Sequence, residues 1–135
     1  MNRAHNPETI APPYKNIYSH AIEVSGDART LYLSGSLGVA RDGTVPEGIE
    51  RQSELVMENM AAVLASAGMG FGDLVKMNAF VLKVEYVPVF AAVRARHLAG
   101  ARPAMTTVVV PALAAPGWLI EVDAVAARAG QIQGR

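Results

Sequence analysis

Arg102-Pro103-Ala104-Met105-Thr106-Thr107-Val108-Val109-Val110 and, after a turn marked by proline and glycine, Trp118-Leu119-Ile120-Glu121-Val122-Asp123-Ala124-Val125-Ala126 decide how this chain is read. β-Branched and apolar residues dominate both, which predicts strands over Thr106–Val110 and Trp118–Ala126. The second strand carries a carboxylate among apolar neighbours: Glu121 is flanked by Leu119, Ile120 and Val122. A glutamate is rarely buried without a partner, but alternation in a half-exposed strand can turn any single residue outward. Glu121 is therefore either a solvated strand residue or a carboxylate with a task.

Working outward, Met1 to about Lys15 is polar and holds Pro7, Pro12 and Pro13, which predicts an extended or turn-rich lead-in. Ile17–Val24 reads as a strand, Ser25-Gly26-Asp27 as a turn and Arg29–Gly35 as the hairpin partner, with Leu31 and Leu33 alternating against Tyr32 and Ser34. Gly38–Gly48 is a loop. Ile49, Ser53, Val56, Met57, Met60, Val63, Leu64 and Ala67 then fall at helical spacing on one face, with Gly68 as the stop.

Leu74–Lys83 is a strand with Val75, Met77, Ala79 and Val81 on one face and Leu74, Phe80 and Leu82 beside Lys76 and Asn78 on the other. A second helix covers roughly Val87–Ala99, its packed stripe at Val89, Ala92, Val93 and Arg96, and Gly130–Arg135 reads as a frayed tail. The order is ββαβαββ, an α+β subunit whose two helices cover one face of a mixed sheet. Several strands are apolar on both faces, so the uncovered face needs another partner, and a homo-oligomer supplies one.

Composition narrows the function classes. The 135 residues fit one domain spanning 1–135, long enough to bury a core. Twelve basic and twelve acidic side chains give a formal net charge of zero, and without a basic stripe nucleic acid is not an expected partner. The apolar runs are too short and too interrupted for a membrane span. The N-terminus, with Asn2, Arg3, His5, Asn6 and Glu8, does not read as a signal peptide, and a cytoplasmic protein is expected. With no cysteine there are no disulfides or thiolate sites. His5, His20 and His97 lack metal-ligand spacing, and no phosphate-binding loop, dinucleotide fingerprint or nucleophile elbow occurs. Any catalysis is expected to need neither metal nor cofactor.

Segments along most of the chain, in order and at matching spacing, resemble the RidA (YjgF/YER057c/UK114) family: Tyr18-Ser19-His20-Ala21, Leu33-Ser34-Gly35, the helix from Gln52 to Gly68, Asp73-Leu74-Val75-Lys76, Phe90-Ala91-Ala92-Val93, Pro103-Ala104-Met105-Thr106-Thr107 and Ile120-Glu121-Val122-Asp123-Ala124-Val125-Ala126. The resemblance implies a chorismate mutase-like subunit, three of which pack their sheets into a central barrel with ligand clefts between subunits. It also implies hydrolysis of a small enamine or imine with release of ammonia. Glu121 takes the family position that orients the attacking water, Tyr18 lies against the substrate, and Gly35, after Ser34, lets backbone approach it closely. At 105 this chain departs from the family: the deaminases have an arginine that holds the substrate carboxylate, and here the residue is Met105, followed by Thr106. A thioether cannot make the bidentate contact of a guanidinium.

The alignment places Arg94 where many members have a cleft-facing asparagine, so the missing cation is expected at Arg94, with Arg102 as its rival; each is otherwise a solvated surface arginine. Two further functions stay open: a ligand-binding or regulatory module without turnover, motivated by Met105, and a degradative-pathway deaminase or hydrolase for a larger unsaturated substrate, its cleft shaped by Met105 and Trp118.

Overall fold

The structure is a computed structural model that describes residues 2–130. Strand β6, Ile120–Ala129, alternates buried Ile120, Val122, Ala124 and Ala126 with half-buried Glu121, Asp123 and Val125. In β4, Leu74–Val81, buried Val75, Met77, Ala79 and Val81 alternate with half-buried Lys76, Asn78 and Phe80. The two strands pair antiparallel with Ala79 opposite Val122 and Phe80 opposite Glu121, so each face stays in register across the pair. Outside them lie β3, Ala28–Leu37, antiparallel to β6, and β5, Ala104–Val109, parallel to β4. The sheet order is β3-β6-β4-β5. It is a mixed sheet, as the sequence predicts.

Helices α1, Ile49–Ser66, and α2, Tyr86–Leu98, cover the dry face. Val56, Met57, Met60 and Leu64 of α1 and Phe90, Val93 and Leu98 of α2 meet Met77, Ala79, Val81, Ile120 and Val122 in one core. At about 25 cal/mol per Å², such burial is the main favourable term in folding. Parallel β4 and β5 require a crossover, which α2 provides.

The helix faces differ in detail from the periodic pattern. In α1, Val63 is 46% exposed while Gln52 and Leu55 are buried. The α2 stripe is Phe90, Val93, Arg94 and Leu98, not Val89, Ala92, Val93 and Arg96. Gln52 is held inside because its amide is fully used. Its Nε2 donates to the carbonyls of Pro46 and Gly117, both at 2.9 Å, and its Oε1 accepts from Leu119 N–H at 2.9 Å. An arginine–histidine pair joins the helices, with Glu54 of α1 accepting from Arg96 and, at 3.0 Å, facing His97 Nε2.

The predicted hairpin does not form. Tyr14–Asn16 is a 3-10 turn, Ala21–Glu23 is strand β2, and β2 pairs with a strand hidden in the expected lead-in, β1 at Arg3–His5. Alternation specifies which face of a strand is buried but not its neighbour. β3 pairs along one edge with the ten-residue, largely apolar β6 and stands at the end of the sheet, while the short, mostly exposed β2 takes β1 as its partner. The other strands differ from expectation by a few residues at their ends, and of the expected tail 131–135 lie outside the described residues. No helix among the described residues is long and apolar enough to cross a membrane.

Candidate functional site

Two groups of the candidate residues come together. The first is built on an irregularity of β3. Leu33 lies opposite Ala124 and Ser36 opposite Val122, so Ser34 and Gly35 together oppose Asp123 alone. This is a β-bulge, which re-aims local side chains. It brings Gly35 beneath the Glu121 side chain: a Cβ built on Gly35 would lie 2.7 Å from Glu121 Cδ and 2.9 Å from its Cγ, and nearer still to Oε2. Only a residue without a Cβ leaves the carboxylate where it is.

Glu121 is half-buried on the sheet face away from the helices, and its carboxylate makes no hydrogen bond or ion pair among the described residues. It is neither a fully solvated residue nor a structural carboxylate satisfied by backbone donors. On the same face Asn78 Nδ2 donates to Asp123 Oδ1 at 2.8 Å, and Lys76 Nζ to Thr106 Oγ1 at 2.9 Å. Thr106 is thus engaged by lysine. Ser34 and Gly35 also line an open groove of about 420 Å³ between β3 and α1.

The second group forms where residues 18–20 dock on the start of β5. Ser19 is buried, donates from Oγ to the carbonyl of Arg102 at 2.5 Å and from N–H to that of Pro103 at 3.2 Å, and bridges to Ala104. Arg102 in turn donates from Nη2 at 3.0 Å and Nε at 3.3 Å to the carbonyl of Tyr18. Its guanidinium is committed to backbone. The half-buried Tyr18 ring stands edge-on to His20 at 6.1 Å.

Arg94 is the buried member of this group, 6% exposed. It and Arg102 line an open cavity of about 390 Å³ between α2 and the turn at Lys15, Asn16 and Ile17. Burial lowers the pKa of the guanidinium from its ordinary value, because the apolar surroundings penalise the charged form. Met105 lies one register step into β5, opposite Met77, and packs against the core. Among the described residues no hydrogen bond or ion pair joins this group to Glu121 within one subunit.

A sequence model of the family described as endoribonuclease L-PSP matches residues 8–128. The chain belongs to the RidA family. Within that family, protein DfrA of Myxococcus xanthus is 35% identical over 122 residues, covering 89% of this chain and 88% of DfrA. The 2-iminobutanoate/2-iminopropanoate deaminase of Mus musculus is 28% identical over 120 residues, covering 87% and 86%. The fold of this RidA member matches the crystal structure of YyfB from Yersinia pestis, a Rid-family protein of unknown function, at a TM-score of 0.83 and 31% identity, over 93% of this chain and 97% of YyfB.

The sequence reading missed the wall of the second cavity. Lys15 and Asn16 have left-handed backbones, φ 55° each, which turn Ile17 toward α2. The predicted strand at Ile17 concealed this turn. Pro12-Pro13 followed by Asn16 was the available signal.

Proposed function

We propose that this RidA member is a cofactor-free hydrolase that releases ammonia from a small, carboxylate-bearing enamine or imine, with Glu121 positioning the water. The observation that carries the reading is the half-buried carboxylate, unpaired among the described residues, lodged over the bulge at Gly35. On the imine tautomer, water attacks the C=N carbon while its proton passes through Glu121 to the nitrogen, giving a neutral carbinolamine. Glu121 then takes the carbinolamine hydroxyl proton and delivers it to the nitrogen as the C–N bond breaks, so that ammonia leaves and a carbonyl product forms. Imines hydrolyse readily, so orientation and one proton relay supply enough catalysis.

The face bearing Glu121 also carries half-buried Phe80 and Val125, with Tyr32 78% and Val108 40% exposed. Packing this face against other copies in a homotrimer removes that apolar surface from water and sets the Glu121 group of one copy against the Tyr18 and Arg94 group of the next. The site is then an intersubunit cleft. A second reading, a ligand-binding module without turnover, is favoured by Met105, a half-buried thioether packed against the core that cannot pair with a carboxylate.

The test is Glu121→Gln, which keeps the shape and removes the base. Light scattering is expected to give about three times the 14.3 kDa chain mass for both proteins. Ammonia release from freshly generated 2-aminoacrylate is expected to fall by about 10²–10⁴ in the variant. Equal turnover in the two would remove the catalytic role, and no turnover in either would leave the binding module.

A further inference from the structure

Most of the chain's arginines have evident employment. Arg29 Nη1 donates to the carbonyl of Ala67, Arg51, Arg96 and Arg128 pair with Glu58, Glu54 and Asp73, and Arg102 holds the carbonyl of Tyr18. Arg94 differs from all of these. It is more than nine-tenths buried, yet its guanidinium has neither hydrogen-bond nor ion-pair partner among the described residues. Its one described contact is with the ring of Phe90, one helical turn earlier, 5.3 Å from the guanidinium carbon to the ring centroid. This cation–π contact with a fully buried ring steadies the guanidinium without using its N–H donors.

The Arg94 nitrogens keep access to the open cavity, and unpaired guanidinium donors in a mostly apolar pocket are what a planar anion needs. The cavity matches such an anion in its other walls. Ala91, Ala92, Ala95, Leu98 and Ile17 present small apolar surfaces, and its volume of about 390 Å³ is within the ordinary range for small-molecule sites. Lys15 and Arg102 stand at the same cavity and add positive potential, although Lys15 also lies 5.3 Å over the Tyr14 ring.

We infer that Arg94 is the anchor of a binding site for a small carboxylate with a compact apolar body, taken bidentately by the guanidinium while the body rests on the alanine face of α2. The cation that the deaminases carry at the position of Met105 is supplied here from a different element. This deepens the proposed function and rests on it only for identifying the ligand as the substrate; the site itself is measured without turnover.

The probe is isobutyrate against its neutral isostere isobutyramide, titrated into the intact protein and followed by NMR or calorimetry. Isobutyrate is expected to bind at least tenfold more tightly than the amide. Arg94→Met is expected to abolish that preference, and Arg94→Lys to keep part of it because the charge stays while the fork is lost. In the absence of ligand Arg94→Met is expected to melt no lower than the parent, since the guanidinium loses no hydrogen bond or ion pair among the described residues and a partly desolvated charge is exchanged for an apolar chain of similar length. Equal binding of acid and amide by the parent, or an undiminished preference in Arg94→Met, overturns the inference. So does a lower melting point of Arg94→Met together with dissociation of the oligomer, which would show that a carboxylate of a neighbouring copy is the partner. Unchanged turnover in Glu121→Gln alongside intact isobutyrate selectivity would reject the hydrolytic reading and leave the Arg94 site standing.

Discussion

Replacing Gly35 by alanine separates the carboxylate's position from the stability of the fold. The new Cβ would lie 2.7 Å from Glu121 Cδ, whereas carbon atoms pack at about 3.5 Å, so Cδ must retreat by at least about 0.8 Å and Oε2, which is nearer still, by more. Gly35 is not among the residues with positive φ, so alanine meets no backbone strain there. The obstacle is the end of a flexible side chain, and forcing it off its rotamer costs about 0.5–1.5 kcal/mol. Alanine also lowers the entropy of the unfolded chain, a gain of about 0.4–1 kcal/mol. The two nearly cancel, so the net change in stability is within about 1 kcal/mol and the thermal midpoint moves by no more than about 5 °C. Displacing a catalytic group by about 1 Å costs about 10² in rate. The expected outcome for Gly35→Ala is a near-normal melting curve by circular dichroism with ammonia release reduced by about 10². Unimpaired turnover would refute the reasoning, because the carboxylate would then work equally well from elsewhere. A midpoint lowered by more than about 10 °C would refute it differently, by showing that Glu121 is locked in place structurally.

Other outcomes follow from the ties around the helices. Gln52→Ala removes a buried amide that ties two carbonyls and one N–H together, and chemical denaturation is expected to show a loss of about 1–3 kcal/mol, against less than 1 kcal/mol for the exposed Glu50→Ala. Glu54 has its pKa lowered from the ordinary 4.5, first by the hydrogen bond with His97 and then by that with Arg96. A depressed carboxylate contributes stability above its unfolded value and loses it as pH falls through the folded one. Glu54→Gln is therefore expected to be about 0.5–1 kcal/mol less stable than the parent at pH 7, the scale of an exposed pair, with the difference closing below pH 4.5. A difference that stays constant to low pH would show that the pair contributes through packing alone.

Local pattern alone gives the two helices, the strands of the main sheet, the mixed α+β architecture and the faces of β4. Those features are local: alternation in β4 and β6 and the helical period of α1 are set by neighbours a few residues away. Family membership was legible for a related reason, since the spacing of short motifs along the chain survives where individual side chains change. The functional importance of Glu121 was visible only as a question, a carboxylate among apolar neighbours.

Tertiary structure decided the partner of each strand, and with it the site. In place of the expected hairpin, β2 pairs with β1 and β3 with β6, and which distant segment a strand meets is invisible in the spacing of either one. That same pairing contains the one-residue slip that slides Gly35 under Glu121, a juxtaposition of residues far apart in the chain. Arg94 shows the same limit from the other side. On helical period alone Arg96 belonged to the packed stripe, but α2 is rotated on the sheet so that Phe90, Arg94 and Leu98 face inward. The turn at Lys15 and Asn16, folded back across the helix from another part of the chain, then encloses the guanidinium. Burial of a charge depends on what packs over it, and that is a property of the assembled fold.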